Sequence, residues 1–335
     1  VTKMRDVAEL AGVSVMTVSN VLNGKPKVNA ETRARVLQAV EQSGYRMNIN
    51  ARRLRQGTSN TVAMIIPRFD HTYFGELAAK FSEKLSGSGL HLVVEQSNAL
   101  AEHELEAISL FPLNSYAGVV LSSVGLTGAQ IDKLDLGIPV VLLGEQDMPE
   151  RFDHVMMGNT AGAELAVAHM LRTGARRVIM FGAADPTADN GMGGMRTRGW
   201  QRAYAAAGLD CDPGLAVHVP QYEPDVAYDT MRRVIESGME FDGVFAITDS
   251  VGFGALAAVL DSGLRVPEDV QLVGFDNLEM SEIVRPSLSS IDPDRELMVE
   301  HIFRLLQERI AHGYNNMPPE HIVSTVNLVE RASTR

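Results

Sequence analysis

The stretch that decides the fold is MRDVAELAGVSVMTVSNVL, residues 4–22. It holds two short helical patterns on either side of a tight turn at Ala11-Gly12-Val13. Val7, Leu10 and Ala11 fall on one face of the first pattern, and Val18, Val21 and Leu22 on one face of the second. Ser14 stands at the start of the second, where a side-chain oxygen can accept an orphan backbone N–H. Two short helices joined by a glycine-containing turn make a helix-turn-helix, whose second helix fits the DNA major groove. A third helix is predicted from about Asn29 to Ser43, closed by Gly44, with Val36, Leu37 and Val40 turned inward.

Charge is divided along the chain in the way a DNA-binding head requires. The 335 residues carry a net charge of −12. Residues 1–58 hold ten basic residues against four acids, a net of +6, and the remainder holds 20 against 38. A basic head on an acidic body is the footprint of nucleic-acid binding by the head alone. The length suits two or three domains, and 45% hydrophobic residues supply a sizeable core. No apolar run reaches the roughly 18 residues of a membrane span. The first residues enter a helical pattern with no secretory leader, so a cytoplasmic location is expected. The single Cys211 cannot form an internal disulfide, which fits a reducing compartment.

DVAELAGVS (6–14), TVSNVLNG (17–24), ETRARV (31–36) and GYRMNINARRL (44–54) resemble the lactose/galactose repressor (LacI/GalR) family in order and spacing. The resemblance continues to about Arg331. It implies a DNA-binding headpiece over residues 1–46 and a hinge helix over 47–59. Val15, Met16 and Asn20 match the positions that read base edges. Asn can pair with adenine, and apolar side chains can touch a thymine methyl. One of Val15 and Met16 could instead pack inward. The Thr17 and Ser19 hydroxyls suit phosphate contacts, and Thr2, Ser14 and Asn23 complete the head's expected set. The segment 48–56, NINARRLRQ, has two large apolar residues, Ile49 and Leu54, five apart and so on different faces, and no stripe to dock a helix. In the family it becomes helical only on DNA, where two copies enter the minor groove and paired leucines wedge a base step. Leu54 is at that position, with Asn48, Ala51 and Arg52 as further contacts. Met47 replaces the family's usual Pro, and a plain linker remains the alternative.

From Thr61 the pattern alternates between strand and helix. Apolar runs stand at TVAMIIP (61–67), LHLVVEQ (90–96), AGVVLSS (117–123), PVVLLGE (139–145), RRVIMFGA (176–183), GVFAITD (243–249) and VQLVGFDN (270–277). Amphipathic stretches such as Tyr73–Ser86, Ala161–Leu171, Pro224–Glu236 and Gly252–Leu260 lie between them. That is a βαβ series, hence parallel sheets covered by helices, with ligands expected at the carboxyl ends of strands. The resemblance implies an α/β core of the periplasmic-binding-protein type I fold. Its first subdomain would take 60–158 and 291–321, its second 159–290 and 322–335, with the effector in the cleft between. Tyr73, Phe74, Arg196, Tyr222, Thr248, Asp249 and Asp276 match its effector-facing positions. Arg196 is read as part of a loop region feeding the cleft, with a fork of donors for hydroxyls or a carboxylate. Tyr222 offers an aromatic face to a sugar ring. The plainer alternatives are a core Phe74, a surface Tyr73, a helix-capping Asp249 and a surface ion pair for Arg198. Arg295 stands where the family often has an apolar or aromatic residue, which hints at a polar or acidic effector.

Enzyme motifs are missing. The chain has no G-x-x-x-x-G-K-[ST], no G-x-S-x-G and no H-E-x-x-H, so neither catalysis, a metal nor a cofactor is expected. The sequence therefore predicts a repressor of carbohydrate-related genes, switched by a sugar-like effector and bound as a homodimer to a pseudo-palindromic operator. With no apolar heptads before Arg335, a dimer is expected rather than a tetramer.

Overall fold

The computed structural model describes residues 3–22, 28–45, 59–109, 116–134, 137–144, 148–313 and 316–335. The chain divides into two compact units, Val1–Ser59 and Asn60–Arg335. The expected hinge contacts Asn48, Ala51, Arg52 and Leu54 lie outside the described residues, as do Thr2 and Asn23.

The first unit contains α1 (Met4–Ala11), α2 (Val15–Leu22) and α3 (Ala30–Ser43). Gly12, at φ 62°, ends α1 in the left-handed conformation that glycine adopts without strain. The Ser14 hydroxyl oxygen accepts the Thr17 N–H at 3.1 Å, and the Asn29 side chain accepts the Thr32 N–H at 2.8 Å, so both following helices are capped. Val7, Ala8, Ala11, Val18, Val21, Val36 and Ala39 form the core. Leu10 and Leu37, expected inside, are 54% and 51% exposed. The buried stripes run through Val7, Ala8 and Ala11, and through Val36 and Ala39 with Val40 packed alongside. Each leucine is one residue, about 100° of helix, off its stripe.

The second unit runs β1 (Thr61–Ile66), α4 (Thr72–Leu85), β2 (His91–Gln96), α5 (Ala101–Ser109), β3 (Gly118–Ser122), α6 (Gly128–Ile131), β4 (Val140–Leu143), β5 (Asp153–Met156) and α7 (Asn159–Arg172). It continues with β6 (Val178–Phe181), α8 (Met192–Ala206), β7 (Ala216–Val217), α9 (Pro224–Glu236), β8 (Gly243–Ala246), α10 (Asp249–Asp261) and β9 (Gln271–Phe275). The last elements are α11 (Glu279–Ile283), β10 (Ser289–Asp292), α12 (Arg295–His312), β11 (His321–Val323) and β12 (Asn327–Val329).

Among the described residues two six-stranded sheets form, in the orders β11-β5-β4-β3-β1-β2 and β12-β10-β9-β8-β6-β7. Every pairing is parallel except β10 with β12. The two-residue period of β1 divides its side chains between two cores. Val62, Met64 and Ile66 pack with Leu77 and Phe81 of α4 and with Ile302 and Leu305 of α12. Ala63 and Ile65 pack on the other face with Ile108 of α5 and Ile131 of α6. The chain passes between the sheets three times, after β5, β10 and β11. Ile291 and Asp292 pair in the second sheet and Ile322 and Val323 in the first, a residue or two beyond the expected divisions at 290/291 and 321/322. No helix among the described residues is long and apolar enough to cross a membrane.

Arg196 lies on helix α8, not in a loop. Three glycines in MGGMRTRGW suggest an irregular segment, but Gly199 serves helix packing: a Cβ there would sit 2.6 Å from the Ala163 Cβ of α7. Close contact between the two helices replaces the propensity that glycine lacks. Trp200 donates its indole N–H to the Val178 carbonyl at 2.9 Å, and the Tyr204 hydroxyl accepts the Val178 N–H at 2.7 Å, fixing α8 to β6.

Candidate functional site

In the helical unit, burying Val18 and Val21 turns the opposite face of α2 outward. Val15 is exposed and Met16 is 73% exposed, so neither packs inward. Thr17, Ser19 and Asn20 are half-buried beside them. The Ser14 and Thr17 hydroxyls lie 2.9 Å apart and share a hydrogen bond at the helix start. The exposed face of α2 therefore offers two apolar side chains, a carboxamide and the hydroxyl-bearing first turn of a helix, the groups a DNA groove can use.

In the second unit, the carboxyl ends of β8 and β9 converge with α8. Arg196 is fully buried. It donates Nε–H to Asn159 Oδ1 at 2.7 Å and Nη1–H to the Ile247 carbonyl. Its guanidinium lies 3.4 Å above the Phe275 ring, with Nη2 3.8 Å from Asp276 Oδ1. Asp276 follows β9 with φ 113°. Burial pushes its carboxyl up to about 7; the Arg196 charge opposes that shift and the neighbouring Asp249 adds to it. Tyr222 follows β7, and a Cβ added to Gly193, one turn before Arg196, would lie 3.4 Å from its hydroxyl oxygen. Burial also raises the Tyr222 hydroxyl, with Arg196 and Asp189 as its charged neighbours. Arg196, Asp276 and Tyr222 thus form one cluster.

Thr248 and Asp249 take other work. The Thr248 hydroxyl oxygen caps α10 by accepting the Val251 N–H at 3.2 Å, so the cap is Thr248 rather than Asp249. Asp249 is fully buried and accepts from the Leu278 N–H at 2.8 Å and the Ser281 and Ser290 hydroxyls, each at 2.6 Å. Its carboxyl is raised to about 6 by burial against those hydrogen bonds. Oδ2 thus holds the segment after Asp276 directly, and Oδ1 holds it through the Ser290 hydroxyl of β10, whose oxygen accepts the Asn277 N–H at 3.0 Å. Tyr73 and Phe74 begin α4, pack on the first sheet's core and meet edge-to-face at 5.2 Å. The Tyr73 hydroxyl also points to the Met298 sulfur at 3.8 Å. Arg198 donates to the Pro186 and Asp189 carbonyls rather than to a surface carboxylate.

Arg295 is not an uncompensated cation. It donates to the Asp276 carbonyl and, at 2.9 Å, to the Asn277 carbonyl, and pairs with Glu76 at 3.0 Å. Its charge is thus balanced within the protein, so Arg295 by itself gives no reason to prefer an acidic over a polar effector. Contacts join the two sheets' elements elsewhere too: His71 Nε2 lies 3.3 Å and Arg68 Nη2 3.7 Å from Glu223. Sequence reasoning missed Glu76, Asn159 and Glu223. Glu76 is three residues after Tyr73 on the same helix, a spacing that could have drawn attention to it. Among the described residues no group of His, Cys, Asp and Glu could hold a metal ion.

Residues 3–48 match the family described as bacterial regulatory proteins, lacI family, and residues 167–334 match the periplasmic binding protein-like domain. The HTH-type transcriptional regulator CelR of Thermobifida fusca is 32% identical over 98% of this chain and 96% of its own. A LacI-family regulator from Sanguibacter keddieii superposes with a TM-score of 0.76 at 33% identity, over 82% of this chain and 98% of its own. The structure of a CelR–cellobiose complex superposes with a TM-score of 0.72 at 28% identity, over 99% of this chain and 100% of its own. With its helix-turn-helix head and its two-sheet α/β unit, the chain belongs to the LacI family of DNA-binding transcriptional regulators, a family without enzymatic activity.

Proposed function

We propose that this regulator represses carbohydrate-related genes in the cytoplasm, binding a pseudo-palindromic operator as a homodimer. A neutral, hydroxyl-rich effector such as a mono- or disaccharide occupies the cleft between subdomains 60–158 plus 293–323 and 159–292 plus 324–335. The head reads DNA with Val15, Met16 and Asn20, anchors with Ser14, Thr17 and Ser19, and is completed by Thr2 and Asn23. Asn48, Ala51, Arg52 and Leu54 act in a minor-groove hinge, with Leu54 as the wedge. In the cleft, Arg196 and Asp276 bind hydroxyls and Tyr222 covers a ring face, with Tyr73, Phe74 and Thr248 at the rim. Asp249 acts from behind by holding the Asp276 loop.

The observation that carries this reading is the Arg196–Asp276 pair, buried where β8 and β9 end. When Asp276 is ionised the two side chains offer donors and an acceptor without a net charge, which suits a polyol better than an acid. The Glu76–Arg295 pair beside it is likewise balanced. One similar solved structure is a CelR–cellobiose complex, which adds support for a saccharide. Calorimetric titration of cellobiose, other neutral saccharides and the matching sugar acids tests the reading. A neutral sugar should bind the wild type, weaken in Tyr222→Ala, and stabilise the fold by about 2.7 kcal/mol at 100 times Kd. Tighter binding of the acids would refute the neutral class, and unchanged affinity in Tyr222→Ala would move the ligand out of the cleft.

A further inference from the structure

Residues 276–279 form a turn that is held from outside its own sheet. Asp276 and Asn277 have φ of 113° and 50°. Their carbonyls both accept from the Arg295 guanidinium at the start of α12. The same guanidinium pairs with Glu76 Oε2 on α4 at 3.0 Å. Glu76 Oε1 accepts the Glu279 N–H at 3.3 Å. Glu76 therefore reaches both ends of the turn, one directly and one through Arg295. The Arg295 and Glu76 side chains are 8% and 17% exposed, so water competes little for either. Lys80 with Glu296 at 3.0 Å, and Lys84 with Glu300, continue the seam between α4 and α12.

We propose that Glu76 and Arg295 are positioning residues that couple the Asp276 turn of the second sheet to helix α4 of the first, so that the two respond as one to whatever occupies the cleft. The proposal rests on the cleft being the effector site. The turn cannot shift without carrying α4, and with it Tyr73 and Phe74, or breaking charge-assisted hydrogen bonds in a protected place. An apolar residue at position 295 would fill the same space but bind neither carbonyl nor carboxylate, and the turn and α4 would move separately.

Hydrogen exchange read by mass spectrometry on the full-length protein, without ligand, tests this. In Arg295→Leu, exchange should accelerate at least tenfold both in 276–284 and in 72–78, while β6 and β8 keep wild-type protection. Glu76→Gln, which keeps one acceptor oxygen but places an NH2 donor where the other stood, should lose one of the two contacts and accelerate exchange in both segments by less than Arg295→Leu does. If Arg295→Leu does not fold, Glu76→Ala should give the same paired loss with Arg295 intact. Acceleration confined to 294–300 would mean that Arg295 merely starts α12, and would overturn the coupling. Failure of every saccharide titration would instead remove the cleft assignment and leave the coupling in place.

Discussion

Arg196 and Asp276 should be energetically coupled, and the coupling should depend on pH. At the 3.8 Å separation, two full charges at an effective dielectric constant near 20 attract by about 4 kcal/mol. The cycle cancels each group's own desolvation cost, so the expected coupling when both are charged is about 2–4 kcal/mol. The Asp276 pKa is raised from 3.8 to about 7 in the folded chain. The folded state thus holds this proton more tightly than the unfolded state. Its contribution to stability is complete below the unfolded value and is lost as pH rises through about 7. At pH 8.5 the carboxylate is charged and needs Arg196; at pH 5.5 it is protonated in the fold and does not. A double-mutant cycle of Arg196→Met and Asp276→Asn isolates the pair, because Asp249, Glu76 and Arg295, which also face Asp276, are present in all four proteins. The single Trp200, one turn beyond Arg196 on α8, reports unfolding by fluorescence during urea titration. The coupling should fall below about 1 kcal/mol at pH 5.5. A coupling under about 0.5 kcal/mol at pH 8.5, or one equal at both pH values, would show that the pair is not an ion pair in solution.

Two further outcomes are expected. Asn20→Ala should lose about 1–3 kcal/mol at one base pair only, measured against single-base variants of a selected site at fixed salt; an equal loss on every sequence would refute base reading by Asn20. Gly199→Ala should destabilise by about 1–3 kcal/mol because its Cβ meets Ala163 across the α7–α8 contact. An unchanged Trp200 unfolding midpoint would show that the helices can separate freely.

The head was legible because its signals are local: a glycine at φ 62°, two hydroxyl or amide caps and short apolar stripes. What misled was the edge of each stripe, where Leu10 and Leu37 share hydrophobicity with the core but not its direction. Seven of the parallel strands announced themselves as apolar runs, whereas β5 (DHVM) and β10 (SSID), no shorter than β4, β6 or β8, did not, because polar residues interrupt them. β7, β11 and β12, of two or three residues, are too short to show a period and exist because longer neighbours pair with them. Arg196 and Asp276 were found by family position. Their burial was not legible, since it depends on residues distant in sequence, Asn159 and Ile247 around Arg196 and Asp249, Arg295 and Glu76 around Asp276. Glu76 and Arg295 are 219 positions apart, and no local pattern links them.

The three passages of the chain between sheets bear on the order in which the protein can be made. The first sheet lacks β11 until residue 323 has been synthesised, and one of its two faces lacks α12 until residue 312. A nascent chain that has reached residue 290 already holds most of the second sheet, yet Val62, Met64, Ile66 and Phe81 still await Met298, Ile302, Leu305 and Leu306. The earlier-made half therefore stays open almost to the end of synthesis, gaining β11 only just before the second sheet gains β12. Until then it presents an apolar sheet face to the cell, open to chaperones and to misassembly. Premature termination anywhere before α12 should leave fragments whose first sheet cannot close, however sound their second.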